Sequence, residues 1–486
     1  MKNYPNKNIS GQIIIMALVF GCVAIIAVTG FISWASLNLK ISRQAVLKEQ
    51  ALQAAEAGND YYRWHLAHAA SDYKDGTTSS GPYVHVFKDK DGKAIGSFSL
   101  TITPPLIGST LVTVKSIGTI NGLEETNRTV ETKLAIPTFA KYAVASATDV
   151  RFGMGTEIFG PIHSNGGIRF DGLAHNIVSS TKNTYIDPDL PKDNAFGVHT
   201  HVAPADPTIP PSPLPPPSIP NRPTVFEAGR AVGVPAVDFA GLTPDLQTMK
   251  TSAQSSGVYL EPSGKSGYHL ILRNNNTFDV YRVKSISNPP FFCTNQEGNN
   301  SYWGTWSIGS EDFIKNYTVP NNGIVFAEDD VWIEGNISKT RITVAAARFP
   351  DVDSTRASIM VNKNLTYTNY DGQDIIGLIA QRNINIGLDS ATNLRIDAAL
   401  IAQNGRVGRY YYESSCGASS LRNSVTLFGM IASNTRYGFS WTCGGDYCSG
   451  YKDRYINYDS NLLYGPPPSF PFTSDQYETI SWEEVK

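Results

Sequence analysis

The run from Gln12 to Leu39 carries no charged residue, and Ile13 to Ala35 within it is almost wholly apolar. A helix needs about 20 such residues to cross a bilayer. No other stretch of the 486 residues comes close. The chain is therefore expected to fold behind one hydrophobic anchor near its N-terminus, and a freely soluble cytoplasmic enzyme is not expected. A secretory signal peptide has an apolar core of roughly 7–15 residues followed by a small-residue cleavage site, and this run is longer. A plain signal anchor and a processed leader both stay open on this stretch alone.

The next segment narrows the choice. Lys40 to Ala70 is rich in Ala, Leu, Gln, Glu and Lys, all good helix formers. Ala45, Leu52, Ala55 and Leu66 lie near helical spacing, which predicts one apolar stripe. No proline occurs from Gln12 to Tyr73. The spacing predicts one continuous helix over 12–70, on the order of 85–90 Å long, with half in lipid and half projecting as a stalk.

Gly11 stands directly before the apolar run, after a short leader carrying Lys2 and Lys7. Together with the Ala54-Ala55-Glu56-Ala57-Gly58 string, this N-terminus resembles PilX-type pilus assembly proteins, a branch of the minor pilins of type IV pili. The resemblance implies cleavage by a prepilin peptidase between Gly11 and Gln12, residence in the cytoplasmic membrane, and assembly with other pilin subunits. Counting Gln12 as the first mature residue, the fifth is Met16, where major pilins carry a glutamate. That departure suits a subunit at a tip or one used for initiation rather than an ordinary shaft subunit. The C-terminal run Tyr458 to Pro468, with Ile480-Ser481-Trp482, resembles the end of an uncharacterised β-helix domain found in such proteins, a likeness that extends from about Tyr142 onward.

Lysines precede the span, but Lys40, Arg43 and Lys48 follow it, so the positive-inside rule leaves orientation open. Composition and cysteines place the C-terminal bulk outside the cytoplasm. Charged residues make up 17% of a chain with 41 Gly and 24 Tyr, a composition suited to an extracellular β-rich protein. The net charge is −3 with no basic run, so nucleic acid is not an expected partner. Cys22 lies in the anchor; Cys293, Cys416, Cys443 and Cys448 form an even set, which suggests two disulfides in an oxidising compartment. Connectivity stays open: a local Cys443–Cys448 loop would leave Cys293 to Cys416. Zinc fits the spacing less well, because no C-x2-C knuckle or nearby histidine is present.

Four regions follow from these patterns: a leader over 1–11, a transmembrane and stalk helix over 12–70, a small β domain over 71–137, and a large β region over 138–486. Strands are expected at 81–87, 97–103, 110–119 and 126–136, with Asn121-Gly122 as a hairpin turn. Beyond 138 a short motif recurs at Gly160–Asn165, Gly377–Arg382, Ala399–Asn404 and Gly429–Asn434, with weaker copies at 324–327 and 143–145. Spacings of 22 and 30 residues (Ala380 to Ala402, Ala402 to Ala432) fit coils of a parallel β-helix, or solenoid, with Ile stacked inward in each coil. Residues 203–223 hold ten prolines and are expected to form an extended spacer or surface excursion. A less regular module is expected over 224–317, with strands at 268–272 and 278–283, and residues 455–486 are expected to cap the solenoid. The fold class is thus mainly β: a long membrane-spanning helix, a β meander and a parallel β-helix.

Catalytic chemistry is not evident. Glu328, Asp329 and Asp330 are adjacent in sequence and need not converge. Asp351, Asp353, Asp371 and Asp374 lie in turn-like strings without a full calcium-loop pattern. His163, His175, His199 and His201 share one region, and His199 and His201 would share one face of a strand, but no third metal ligand is evident. Trp303, Trp306, Tyr410, Tyr411, Tyr412, Trp441, Tyr447 and Tyr451 offer either a flat binding surface or core packing. No catalytic, cofactor-binding or metal residue is therefore assigned. The expectation is a non-enzymatic pilus protein displaying its solenoid toward a surface glycan or host receptor; the rival is a membrane-anchored polysaccharide-binding or polysaccharide-degrading β-helix protein, which convergent acidic residues in a groove would favour.

Overall fold

The computed structural model describes residues 10–105, 109–121, 127–188, 194–210, 217–293, 295–297, 300–301, 304–443 and 446–485. The leader residues 1–9, Gly122 of the expected hairpin and Trp303 lie outside them. The chain is mainly β with one long helix, and it divides into two compact units.

The first unit holds helix α1 (Ser10–His68) and an antiparallel sheet. Strands Tyr83–Lys88, Ala94–Thr103, Val112–Ile120 and Arg128–Ala135 pair in sequence order. The last strand of the chain, Glu478–Val485, adds a fifth member beside Arg128–Ala135, so this part of the expected cap lies in the meander sheet. Arg128 bonds Glu484 across that edge.

The buried stripe of α1 keeps Ala55 and Leu66 of the expected one and departs from it elsewhere. Ala51, Ala54, Ala55, Gly58, Tyr62 and Leu66 are buried, whereas Ala45 is exposed and Leu52 only half-buried. Close approach is the reason. A Cβ on Gly118 would fall on the backbone oxygen of Ala51 and 2.5 Å from the nitrogen of Ala55. A Cβ on Gly58 would meet the Ser116 hydroxyl and lie 2.9 Å from the Phe98 ring. Only a strip of alanine and glycine lets helix and sheet backbones come this near. The Ala54–Gly58 string thereby acquires a packing role.

The second unit is built on parallel ladders. Among the described residues, the first ladder holds ten short strands in the order 258–260, 324–327, 343–346, 377–380, 399–402, 431–433, 144–146, 162–164, 178–180 and 230–232. Every copy of the recurring motif lies in this ladder. A second ladder joins 268–272, 331–335, 359–360, 384–386 and 407–409. A third joins 335–337, 365–367, 396, 424–429 and 453–458. Residues 150–152, 168–170 and 198–199 repeat the arrangement at the other end. The expected separate module over 224–317 is absorbed into the stack, because 268–272 pairs in parallel with 331–335 and antiparallel with Thr277–Ile286. Likewise 453–458 belongs to a ladder rather than to a cap.

The ladder is not in chain order. Residues 144–232 stack beyond 431–433, and the chain then restarts at 258 at the far end. Nine strand spacings of about 4.8 Å separate the two ends, roughly 43 Å. Helix α2 (Leu242–Ser256) lies in the crossover; its 15 residues cover about 22 Å of that distance, and residues 233–241 supply the rest.

From 324–327 to 162–164 both faces of the first ladder are buried, as parallel sheets require. Val325, Val344, Leu378, Leu400 and Ile431 point into the interior. Phe326, Ala345, Ile379, Ile401 and Ala432 point outward, beneath Leu246, Met249 and Ala253 of α2, Phe139, Leu462 and Phe470. The motif copies therefore do not all stack Ile inward. The 22-residue step holds, with Gly377 opposite Ala399. The next step is 31 residues rather than 30, with Ala399 opposite Met430. A one-residue slip exchanges the faces, so Ile379 and Ile401 lie outside while Ile431 and Ile162 lie inside. An apolar run buried on both sides cannot set its own register.

The proline-rich segment, described over 203–210 and 217–223, is fastened at its base. Arg222 donates to the Val202 carbonyl at 2.8 Å and Arg230 to the Pro220 carbonyl at 2.7 Å. Both arginines face the buried carboxylate of Asp206.

Candidate functional site

Three features carry chemistry. The first is the N-terminal part of α1. From Ile13 to Ile41 its large apolar side chains are all exposed, with Ile26 at 69% and Phe20 at 68%. Met16 lies on this surface. Burying one such side chain contributes about 1.5–3 kcal/mol, so the segment is stable only against lipid or other apolar helices. Among the described residues it is the one helix long and apolar enough to cross a membrane.

The second is a concavity of about 530 Å³ lined by Arg151, Arg406, Arg436 and Arg454, with Tyr437 and Trp441. It forms where the two chain segments meet. Arg151 points outward because Val150 and Phe152 on either side of it face the core. The Arg406 guanidinium lies over Trp441 at 5.4 Å and Tyr410 at 5.7 Å. Glu157, the acid in the lining, bonds His175 at 2.7 Å. An adjoining concavity of about 340 Å³ shares Arg406 and Trp441 and adds Arg382. Arginine forks match carboxylate and sulfate groups, and an indole face matches a flat apolar surface. The sequence does not show this cluster, because Arg151 lies more than 250 positions before the other arginines and none of the four belongs to a charge run.

The third is a concavity of about 460 Å³ containing His269, Glu311, Glu334 and Lys363. His269 bridges the two glutamates, at 2.8 Å to Glu311 and 3.2 Å to Glu334. Burial alone would raise the pKa of Glu334, but bonds from His269 and Lys363 outweigh it and hold the carboxyl below its usual range. A general acid would need the opposite shift.

The acidic and histidine candidates read from the sequence divide. Glu328 turns to Lys250, at 2.8 Å, and to Tyr259. Asp329 and Asp330 do converge, but on Arg348. His163 is buried between Ser179 and Asn165, both at 3.1 Å, and stacks on Tyr142. His175 sits between Glu157 and Glu227, whose bonds raise its pKa. His199 and His201 do share one side of the chain, with ring centroids 5.1 Å apart. Asp187 joins them, its Oδ2 3.2 Å from His199 Nε2 and 3.7 Å from His201 Nε2. Nothing in the sequence links Asp187 to them, because the approach is made by the antiparallel pairing of 184–186 with 194–196.

Disulfides join Cys293 to Cys416 and Cys443 to Cys448. The first is buried with Leu388, Tyr410 and Tyr412. Tyr410, Tyr412 and Tyr451 are core residues, so the expected aromatics do not form one flat surface; Trp441 is the member that faces the arginine concavity.

No protein-family model matches the chain, and no curated protein matches it. Among solved structures, the crystal structure of the competence-associated pilin ComZ from Thermus thermophilus aligns with a TM-score of 0.31 and 14% identity, covering 90% of this chain and 97% of that one. A likeness at that level carries no weight for fold or function, which rest on the residues themselves.

Proposed function

We propose that this chain is a non-enzymatic, type IV pilin-like subunit that displays its β body, a parallel β-helix, outside the cytoplasmic membrane. The observation that carries the reading is the division of α1: one continuous helix is bare and apolar over its N-terminal part and docked on an antiparallel sheet over its C-terminal part. A helix divided in this way can pass from lipid into a helical filament core without refolding, because both surroundings satisfy the same surface. Prepilin peptidase would release the leader after Gly11. Other pilin subunits would then cover Ile13 to Leu39. The absence of an acidic side chain at Met16 favours a tip or initiating position. The arginine–tryptophan concavity is the face we assign to contact with an anionic surface glycan or receptor.

The test is intact-mass analysis of the protein expressed with and without prepilin peptidase. Loss of residues 1–11 only with the peptidase supports the reading; an unchanged mass in both cases leaves a plain signal anchor. A second reading, a membrane-anchored polysaccharide-binding or polysaccharide-degrading protein, draws on the concavity that gathers Glu311 and Glu334. Both carboxylates are held by His269, and turnover or binding of polysaccharide that is lost in Glu311→Gln would favour it.

A further inference from the structure

We propose that Asp187, His199 and His201 form a binding site for a divalent transition-metal ion of the zinc type. Their ligand atoms all lie within 4.8 Å of one another. A tetrahedral zinc ion with bonds of about 2.0–2.1 Å requires neighbouring ligands roughly 3.3 Å apart. The separations of Oδ2 from the two Nε2 atoms, 3.2 and 3.7 Å, bracket that value.

The surroundings suit a cation. Arg169 approaches Asp187 to 3.9 Å, but its Nε bonds Asp171 at 2.7 Å, so a second carboxylate balances its charge. Asp171 also accepts the backbone N–H of His201 at 2.8 Å, which fixes the chain that carries the ligand. His199 Nδ1 faces the Tyr185 hydroxyl at 3.4 Å, the outer-shell contact that orients a ligating imidazole. Asp187 and His199 are nearly inaccessible, while the His201 side chain is 25% exposed, which leaves an approach for the ion and room for a water as fourth ligand. Two imidazoles and one carboxylate favour zinc, cobalt or nickel over magnesium or calcium.

The experiment uses the full chain in detergent, stripped with chelator and titrated separately with zinc, cobalt and magnesium ions. The site predicts one zinc per chain by elemental analysis, visible d–d bands on cobalt addition that zinc abolishes, and no displacement by excess magnesium. His201→Gln, which keeps the backbone bond to Asp171, removes a direct ligand and is expected to weaken zinc binding by at least the roughly 10–100-fold that loss of an outer-shell partner costs, without changing the circular dichroism of the metal-free protein. Substoichiometric zinc in the wild type, or unchanged affinity in His201→Gln, overturns the proposal and leaves a hydrogen-bonded Asp–His cluster. Should the variant fail to fold, the wild-type cobalt spectrum and zinc stoichiometry decide alone.

Discussion

The two parts of α1 share one backbone geometry and meet opposite surroundings. From Ile13 to Leu39 the helix uses large apolar side chains on every side and buries none of them. From Ala51 to Leu66 it uses small residues on one stripe and buries them against a sheet. Glycine makes the contrast plain. A methyl group added at Gly21 or Gly30 would meet nothing within 4 Å, whereas one added at Gly58 would run into Ser116 and Phe98. The first part is specified by transfer out of water, which tolerates many sequences; the second is specified by distance, which tolerates few.

Substitutions that exchange the two kinds of constraint should have graded effects. Gly118→Ala puts a methyl group into the α1 backbone and is expected to cost about 3 kcal/mol, read as lowered thermal stability and early proteolysis in the first unit. Ile25→Arg should leave helix docking intact but oppose insertion by about 2.5–3.5 kcal/mol, read as loss of carbonate-resistant membrane association. Gly58→Ala, whose clashes involve side chains able to shift, should cost about 1–2 kcal/mol. Gly30→Ala should be neutral or stabilising by up to about 1 kcal/mol. Equal effects at Gly30 and Gly58 would break the comparison.

The smallest effect concerns the end of the docked part. Asp72 accepts backbone N–H groups from Lys74 at 2.8 Å and Gly76 at 2.6 Å, and it bonds His65 at 3.1 Å. The Lys74 bond, ahead of those from Gly76 and His65, holds its pKa below the ordinary value. A carboxyl with a depressed folded pKa stabilises above its unfolded value, near about 3.9, and loses that contribution as pH falls through the folded value. Melting temperature should thus fall more between pH 5 and pH 3 in the wild type than in Asp72→Asn, while membrane association stays constant.

The long apolar helix and the mainly β character were legible because both depend on local pattern: an uncharged run from Gln12 to Leu39, alternating strands and a repeated apolar motif. What depends on pairing was not. The slip between Ala399 and Met430 leaves no trace in a run buried on both faces. The joining of 431–433 to 144–146 brings together segments almost 290 positions apart. Arg151 meets Arg436 and Arg454 through that junction, and Asp187 reaches His199 through the antiparallel pairing of 184–186 with 194–196. The stripe on α1 was legible at Ala55 and Leu66 but not at Ala51, Ala54 and Gly58, whose burial is set by the close approach of the sheet backbone rather than by helical spacing.

The most direct test of the central claim is mass spectrometry of filaments sheared from the surface of the native host. The account predicts this protein among the filament components, with an N-terminal peptide that begins at Gln12. Recovery only from the membrane fraction, with residues 1–11 still attached, would contradict it.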